Sequence, residues 1–237
     1  MSNSFIIKSF DKAIDEIERS DKLDRLYKYN PNIPKQPING INHVFLYYYV
    51  PEKYHEWYFF TQEVTTFRKK IWDFKDGDEN EQEWAINAVT EVLEIGDYNG
   101  ISNPKLTFVC IPASTIDSND RRFKSFSSKI CEKLCLNNGF DHIKIVKEKI
   151  PKHISGVESE TELEIDPFFF AGKDIILFDD VVTKGHSMYK LMQQLQAVNA
   201  TTVLCLSLGQ TYNPDKTTED PINPYTGNHL LDARQYG

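Results

Sequence analysis

Two adjacent carboxylates, Asp179 and Asp180, follow a short apolar segment in the second half of the chain. A turn with two hydroxyls, a lysine, a glycine and a histidine follows closely: Thr183, Lys184, Gly185, His186 and Ser187. Carboxylates accept hydrogen bonds from a sugar diol or face a magnesium ion. Glycine lets the backbone approach a phosphate, while hydroxyls and the free amides of a beginning helix donate hydrogen bonds to it. This order of residues indicates a site for a sugar phosphate.

A strand, a helix and a second strand must hold these residues in place. Ile175 to Phe178 form a continuous apolar run that is typical of a parallel strand buried on both faces. Thr202 to Leu208 reads as the next strand. Apolar residues recur at helical spacing between the two: Met188, Leu191, Met192, Leu195 and Val198. Because ligands bind outside the carboxyl ends of parallel strands, Asp179 and Asp180 stand where a ligand is expected.

The segment from Asp179 to Ser187 resembles the phosphoribosyl pyrophosphate signature of the type I phosphoribosyltransferases. That signature is an apolar strand, two acidic residues, two small apolar residues and Thr-Thr-Gly-small-Thr. In this chain the second threonine is Lys184, the small residue is His186 and the final threonine is Ser187. The resemblance implies an α/β fold with a mainly parallel central sheet and helices on both faces. The alternative is an ordinary strand end in another doubly wound protein.

The resemblance also implies roles for these residues. Asp179 and Asp180 would be catalytic and would hold the ribose hydroxyls and Mg²⁺, while the turn from Thr183 to Ser187 would bind the 5′-phosphate. The implied reaction is displacement at the anomeric carbon, in which pyrophosphate leaves and a nitrogen nucleophile takes its place. For His186 the alternative is a helix-start residue that faces solvent.

Three segments further upstream are ordered and spaced as in the ComF branch of the same family, which is similar to amidophosphoribosyltransferases. They are Phe74 to Asp78, Val109 to Ser114, and Arg121 to Phe123. Arg122 and Lys124 stand where that branch has glycine and asparagine. The resemblance covers roughly residues 65 to 212.

Pyrophosphate contacts are implied on two of these segments. Ala113 and Ser114 would offer backbone amides, and Arg121 or Arg122 would clamp phosphate oxygens, since a guanidinium binds them through two parallel donors. A second basic segment contains Lys144, Lys147, Lys149 and Lys152. Solvated surfaces are the alternative explanation for both basic segments.

Length and composition favour one enzyme-sized domain with additions. The chain has 237 residues, 40% of them hydrophobic, which is enough for a sizeable core. A formal net charge of −8 argues against a general nucleic-acid surface. The sequence lacks a membrane-length apolar stretch and a secretory pattern at its start, so we expect a cytoplasmic protein without membrane contact. Buried thiols explain the four cysteines better than zinc ligands do.

The chain divides into three predicted parts. Residues 1–62 form an N-terminal extension or hood, with an amphipathic helix over 6–29, a proline-rich linker, and one or two aromatic strands within 45–60. Residues 63–212 form the phosphoribosyltransferase-like domain, in which 151–166 is either the loop that closes over pyrophosphate or a plain surface loop. Residues 213–237 form an irregular polar tail. The aromatic cluster either stacks on a base or packs in the core.

Two further functions compete with the enzyme. The fold also suits a non-catalytic module that senses phosphoribosyl pyrophosphate or a nucleotide, and the ComF name suggests a role in competence. A homodimer is the default assembly from base rates.

Overall fold

The computed structural model describes residues 36–38, 40–56, 58–148, 161–216, 222–223 and 226–231. The helix predicted for residues 6–29 lies outside the described residues, as do Lys149, Lys152 and positions 151–160 of the predicted loop. In the rest of that loop the prediction is wrong, because Glu162–Ile165 pair with Ile143–Lys147 and form a strand.

The chain forms a six-stranded sheet and a separate two-stranded sheet. In chain order the strands are β1 (Gln36–Ile38), β2 (Ile41–Tyr49), β3 (Leu106–Cys110), β4 (Asn137–Asn138), β5 (Ile143–Lys147), β6 (Glu162–Ile165), β7 (Asp174–Val182) and β8 (Thr201–Thr211). The large sheet has the order β1-β2-β8-β7-β3-β4, and the small one pairs β5 with β6. Only the β1–β2 pairing in the large sheet is antiparallel. The predicted α/β class with a mostly parallel sheet is therefore confirmed.

Helices cover both faces of the large sheet. They are α1 (Gln62–Lys75), α2 (Glu79–Ile95), α3 (Ile116–Asn119), a π-helical segment (Asp120–Lys124), α4 (Ser125–Leu134), α5 (Pro167–Phe170) and α6 (His186–Ala197). Short 3₁₀ turns occur at Glu52–Glu56, Phe140–His142 and Pro214–Lys216. Within the described residues, every helix is too short or too polar to span a bilayer.

Strand β7 lies between the two larger hydrophobic clusters of the described residues. Ile176 and Phe178 pack on the side of α1, α2 and α4, whereas Ile175 and Leu177 pack on the side of α6. All four side chains are fully buried, as the apolar run predicts. The strand does not end at Phe178 but continues to Val182, because its last residues still pair with β8. Asp179 and Asp180 therefore lie inside the strand.

The N-terminal aromatic segment contributes to the main sheet. The strand predicted within 45–60 is β2, which pairs in parallel with β8. Phe45 is fully buried, and the ring of Tyr47 stacks on Phe67 with centroids 4.4 Å apart. These rings thus have the core-packing role. At the end of the second aromatic stretch, Phe60 forms an isolated bridge with Leu231 and belongs to no strand.

The described part of the tail packs against the domain. Leu230 is buried with Val50 and Tyr54. The carboxylate of Glu63 accepts hydrogen bonds from Asn223, Thr226 and Asn228. These contacts fix the position of the described segments of residues 213–237 on α1.

Candidate functional site

The large sheet reverses its direction of winding between β3 and β7. From β3 the chain crosses to β4 on one side, whereas from β7 it crosses through α6 to β8 on the other. The two loops that leave the carboxyl ends of β3 and β7 diverge and leave a crevice. Such a switch point is where open α/β sheets bind ligands. The loop after β7 is the sugar-phosphate segment predicted from sequence.

The turn after β7 borders a cavity of about 280 Å³. Asp179 and the whole turn from Thr183 to Ser187 line it. Gly185 has a φ angle of +72°, which disfavours any residue with a side chain. A Cβ atom there would also lie 3.2 Å from Ile38 of β1. The glycine therefore permits both the left-handed turn and the close approach of β1.

Some residues of this turn hold it in place, and the side chains of others face solvent. Thr183 Oγ1 lies 2.9 Å from Thr211 Oγ1, and Gln210 donates to the Thr183 carbonyl at 3.2 Å, so this end is tied to β8. Lys184, His186 and Ser187 are exposed. A cation, an imidazole, a hydroxyl and the amides of α6 thus surround the cavity, and together they suit a phosphate group.

Asp179 lies on the cavity side of β7 and is partly exposed. Its Oδ1 accepts a hydrogen bond from the Asp180 amide at 2.9 Å. Burial, and secondarily the neighbouring Asp180 carboxylate, raise the pKa of Asp179 well above its usual value. A carboxyl whose charge is unfavourable gains from hydroxyl donors or a cation that arrive with a ligand.

Asp180 points to the opposite side of the strand and is only 3% exposed. Arg122 Nη1 donates to its Oδ2 at 2.7 Å, and Lys75 Nζ lies 3.2 Å from its Oδ1. This carboxylate is therefore occupied by two cations. It holds α1 and the π-helical segment against the sheet beside the crevice.

The two predicted arginines have different environments. Arg121 pairs with Asp117 on the surface at 3.1 Å, and its side chain packs so closely on Gly77 that a Cβ there would lie 2.7 Å from Cγ. Arg122 reaches Asp180 instead. The segment is a π-helix, a geometry that is common at functional sites. Gln82 Nε2 donates to the Arg122 carbonyl at 2.9 Å and fixes this turn.

The loop after β3 has one amide already engaged. The Ala113 N–H donates to Asn119 Oδ1 at 3.0 Å, in a buried hydrogen bond. Ser114 is exposed at the beginning of the following turn. Glu148 accepts from the Ile116 amide at 2.8 Å. Of the two residues predicted to bind pyrophosphate here, only Ser114 faces outward.

The second basic segment lies on the two-stranded sheet. Lys147 pairs with Glu162 of β6 at 2.7 Å, and Lys144 is exposed. The register places Glu164 opposite Lys144. Opposite charges across this hairpin explain the described half of the segment without a ligand.

Of the two adjacent carboxylates, Asp179 suits magnesium binding better than Asp180 does. Among the described residues, no group of three or more histidine, cysteine, aspartate and glutamate side chains converges on a metal site. Mg²⁺ in nucleotide-type sites is commonly held by one or two carboxylates together with substrate phosphates and water. Asp179 fits that role, whereas the two cations on Asp180 oppose it.

Sequence reasoning missed three residues that shape the site. Lys75 lies in a segment that resembles the ComF pattern, but no local signal paired it with Asp180. Asn119 and Ile38 act through contacts with residues that are distant along the chain or on another loop. The Lys75–Asp180 contact could have been inferred only by asking which cationic segments would pair with a buried Asp180.

Comparison with known proteins adds no relative: no protein-family model matches the sequence, and no curated protein is significantly similar to it. The fold and site define an α/β protein with a crevice at the switch point of its parallel sheet. Asp179 and the turn from Thr183 to Ser187 border that crevice.

Proposed function

We propose that the chain is a phosphoribosyltransferase-like enzyme that binds 5-phosphoribosyl 1-pyrophosphate with magnesium. The observation that carries this proposal is the single cavity lined by both Asp179 and the turn from Thr183 to Ser187. A phosphate bound at Gly185 and a sugar diol at Asp179 belong to one molecule only if that molecule is a phosphorylated sugar. The resemblance in sequence supports a type I fold for the same segment.

In this proposal the bond from the anomeric carbon to the pyrophosphate oxygen breaks, and a bond to a nitrogen nucleophile forms. Pyrophosphate departs with the electron pair, and the nitrogen loses its proton to solvent or to pyrophosphate. Bound magnesium would neutralise charge on the diphosphate. Asp179 accepts hydrogen bonds from the ribose hydroxyls, while Lys184, Ser187 and the α6 amides hold the 5′-phosphate. Positioning supplies most of such catalysis.

We assign Arg122 and Ser114 to the pyrophosphate, because both belong to the segment that follows β3 at the switch point of the sheet. Arg122 is held beside β7 by Asp180, and its buried Nε makes no hydrogen bond to a described residue. A diphosphate that entered here would give the guanidinium additional acceptors. Asp180 would then act as a positioning residue for Arg122 and Lys75.

The test is a titration followed by amide chemical shifts of labelled protein. With magnesium, 5-phosphoribosyl 1-pyrophosphate is expected to shift the amides of residues 179–187 and of Ser114. Ribose 5-phosphate, which lacks the diphosphate, is expected to shift only the first group. Unchanged spectra, or shifts confined to other regions, would contradict the proposal.

A sensing module is the second candidate function, and the engagement of Asp180 by two cations favours it. Only one of the two signature carboxylates then faces the ligand, which suits binding without turnover. Release of pyrophosphate in the presence of ammonia, amines and nucleobases separates the two functions. Magnesium-dependent binding without release from any acceptor would favour the sensor.

A further inference from the structure

The proposed displacement fixes the side from which the acceptor approaches the sugar. The departing pyrophosphate is assigned to the segment that follows β3, which lies beside β7, and β8 lies on the other side of β7. In a displacement at carbon, the arriving and departing groups stand on opposite sides of the reacting atom. The acceptor nitrogen is therefore expected at the carboxyl ends of β8 and its neighbour β2.

Gln210, near the end of β8, is held beside the turn that borders the cavity. Its Nε2 atom donates a hydrogen bond to the Thr183 carbonyl at 3.2 Å. A carbonyl oxygen only accepts, so the nitrogen of the side-chain amide must face Thr183 and the oxygen must face elsewhere. Oε1 accepts no hydrogen bond from a described residue, and it is not enclosed by protein. It can therefore accept an N–H from a ligand.

Tyr48 is the register partner of Gln210 in β2. Its half-buried ring is in edge contact with Phe45 and Tyr212, at centroid distances of 5.0 and 5.6 Å. The hydroxyl makes no hydrogen bond to a described residue and is not enclosed by protein. Burial, and secondarily Tyr212, raise the pKa of Tyr48, so the hydroxyl keeps its proton at neutral pH and can donate a hydrogen bond to a ligand.

The ends of β8 and β2 thus present an acceptor, Gln210 Oε1, beside a donor, the Tyr48 hydroxyl. Ammonia or an alkylamine offers only N–H groups to this pair. A planar base with an N–H next to a carbonyl or a ring nitrogen offers both complementary groups on one edge.

We propose, on the basis of the phosphoribosyl function proposed above, that Gln210 and Tyr48 bind the acceptor, and that the acceptor is a nucleobase of this kind rather than ammonia. Gln210 accepts from the N–H of the base, and Tyr48 donates to the neighbouring acceptor atom of the base.

Nucleoside 5′-monophosphates test the two contacts in the wild-type protein. Each carries a base at the acceptor position of the sugar phosphate, and its binding does not require that the protein catalyses transfer. Inosine and adenosine 5′-monophosphates have a donor beside an acceptor, whereas purine riboside 5′-monophosphate has the same rings without the donor. In calorimetric titration, the tighter of the first two is expected to bind about tenfold more tightly than the third, as for one hydrogen bond.

Ribose 5-phosphate distinguishes failure of the base site from failure of the phosphoribosyl function. Absence of binding by ribose 5-phosphate and by every nucleotide would contradict the phosphoribosyl function, and the roles of Gln210 and Tyr48 with it. Binding of ribose 5-phosphate, together with equal affinity for the three nucleotides or weaker binding of all three, would overturn only the roles of Gln210 and Tyr48.

Variants assign the contacts to residues. Gln210→Met is expected to bind the three nucleotides with equal affinity, and Tyr48→Phe to bind the preferred nucleotide about tenfold more weakly but ribose 5-phosphate as wild type does. Thr211→Val is the matched control that keeps the wild-type preference, because Thr211 makes the other contact between β8 and Thr183, at 2.9 Å. Circular dichroism checks folding. Wild-type preferences in well-folded Gln210→Met and Tyr48→Phe proteins, or an equal loss of preference in Thr211→Val, would overturn the proposal.

Discussion

The adjacent aspartates of β7 lie on opposite sides of the strand and in different environments. Asp179 borders the open cavity beside the turn from Thr183 to Ser187, and its pKa is raised because burial and Asp180 disfavour its charge. Asp180, one residue on, is buried under two cations on α1 and the π-helical segment. The alternation of side chains along a strand produces this difference from two identical residues. One side of the strand can receive a ligand, and the other holds the crevice together.

The largest expected effect is on stability, from Asp180→Asn. The substitution leaves Arg122 and Lys75 without their carboxylate in a buried setting, so the free energy of unfolding is expected to fall by about 3 kcal/mol. Urea unfolding measures it. Asp179→Asn is the matched control, since it changes the same functional group on the other side of the strand. Equal losses of unfolding free energy in the two variants would contradict the different roles assigned to Asp179 and Asp180.

The two arginines of the π-helical segment differ in the same way as the two aspartates, since one forms a buried ion pair and the other an exposed one. Arg122→Met removes the shorter of the two ion pairs of Asp180, and we expect a loss of about 2 kcal/mol in unfolding free energy. Arg121→Met removes only an exposed pair with Asp117, which is expected to cost less than about 0.5 kcal/mol. Thermal or urea unfolding of both variants tests the difference. A larger loss in Arg121→Met would show that the π-helical segment is anchored elsewhere.

Gly185→Ala tests the geometry of the turn that follows β7. A left-handed alanine costs about 1 to 2 kcal/mol in unfolding free energy, and the contact with Ile38 adds to that cost. Gly172→Ala is the control, because Gly172 has a φ angle of +73° but a Cβ there would meet nothing within 4 Å. Urea unfolding is expected to show the larger loss for Gly185→Ala. Equal losses would mean that Ile38 of β1 moves away from the added Cβ atom at no measurable cost in unfolding free energy.

The smallest expected stability effect is the pH dependence contributed by Asp179. Its folded pKa is raised, so its contribution to stability is full below the ordinary value of 3.8 and is lost as the pH rises through the folded value. Asp179→Asn is therefore expected to gain stability relative to wild type as the pH increases over that window. Unfolding midpoints measured at several pH values check this sign. A relative loss of stability would contradict the environment described for Asp179.

The sequence predicted the elements that local patterns encode. The continuous apolar run from Ile175 to Phe178 predicted strand β7. The helical spacing of apolar residues from Met188 onward predicted helix α6, because the positions that an element buries must be apolar. The turn of Thr183 to Ser187 could likewise be read as one unit, since its residues are contiguous. The roles of Asp179 and Asp180 could not be separated. Their difference depends on Lys75 and Arg122, which are far away along the chain.

The amide of Ala113 illustrates the same limit. Its place after an apolar strand suggests that this amide is free to bind a ligand, but Asn119 Oδ1 accepts a hydrogen bond from it. Packing against β1 at Gly185 also depends on a residue almost 150 positions earlier. Contacts of this kind follow from tertiary structure and leave no periodic signal in the sequence.

Calorimetric titration with 5-phosphoribosyl 1-pyrophosphate tests whether the crevice beside β7 binds a sugar phosphate. With magnesium present, wild-type protein is expected to bind, and Asp179→Asn to bind at least tenfold more weakly while remaining at least as stable as wild type. Gln193→Met, which changes an exposed residue of α6, is expected to bind as wild type does. Absence of binding to folded wild-type protein, or equal affinity of Asp179→Asn, would contradict a sugar-phosphate site at this crevice.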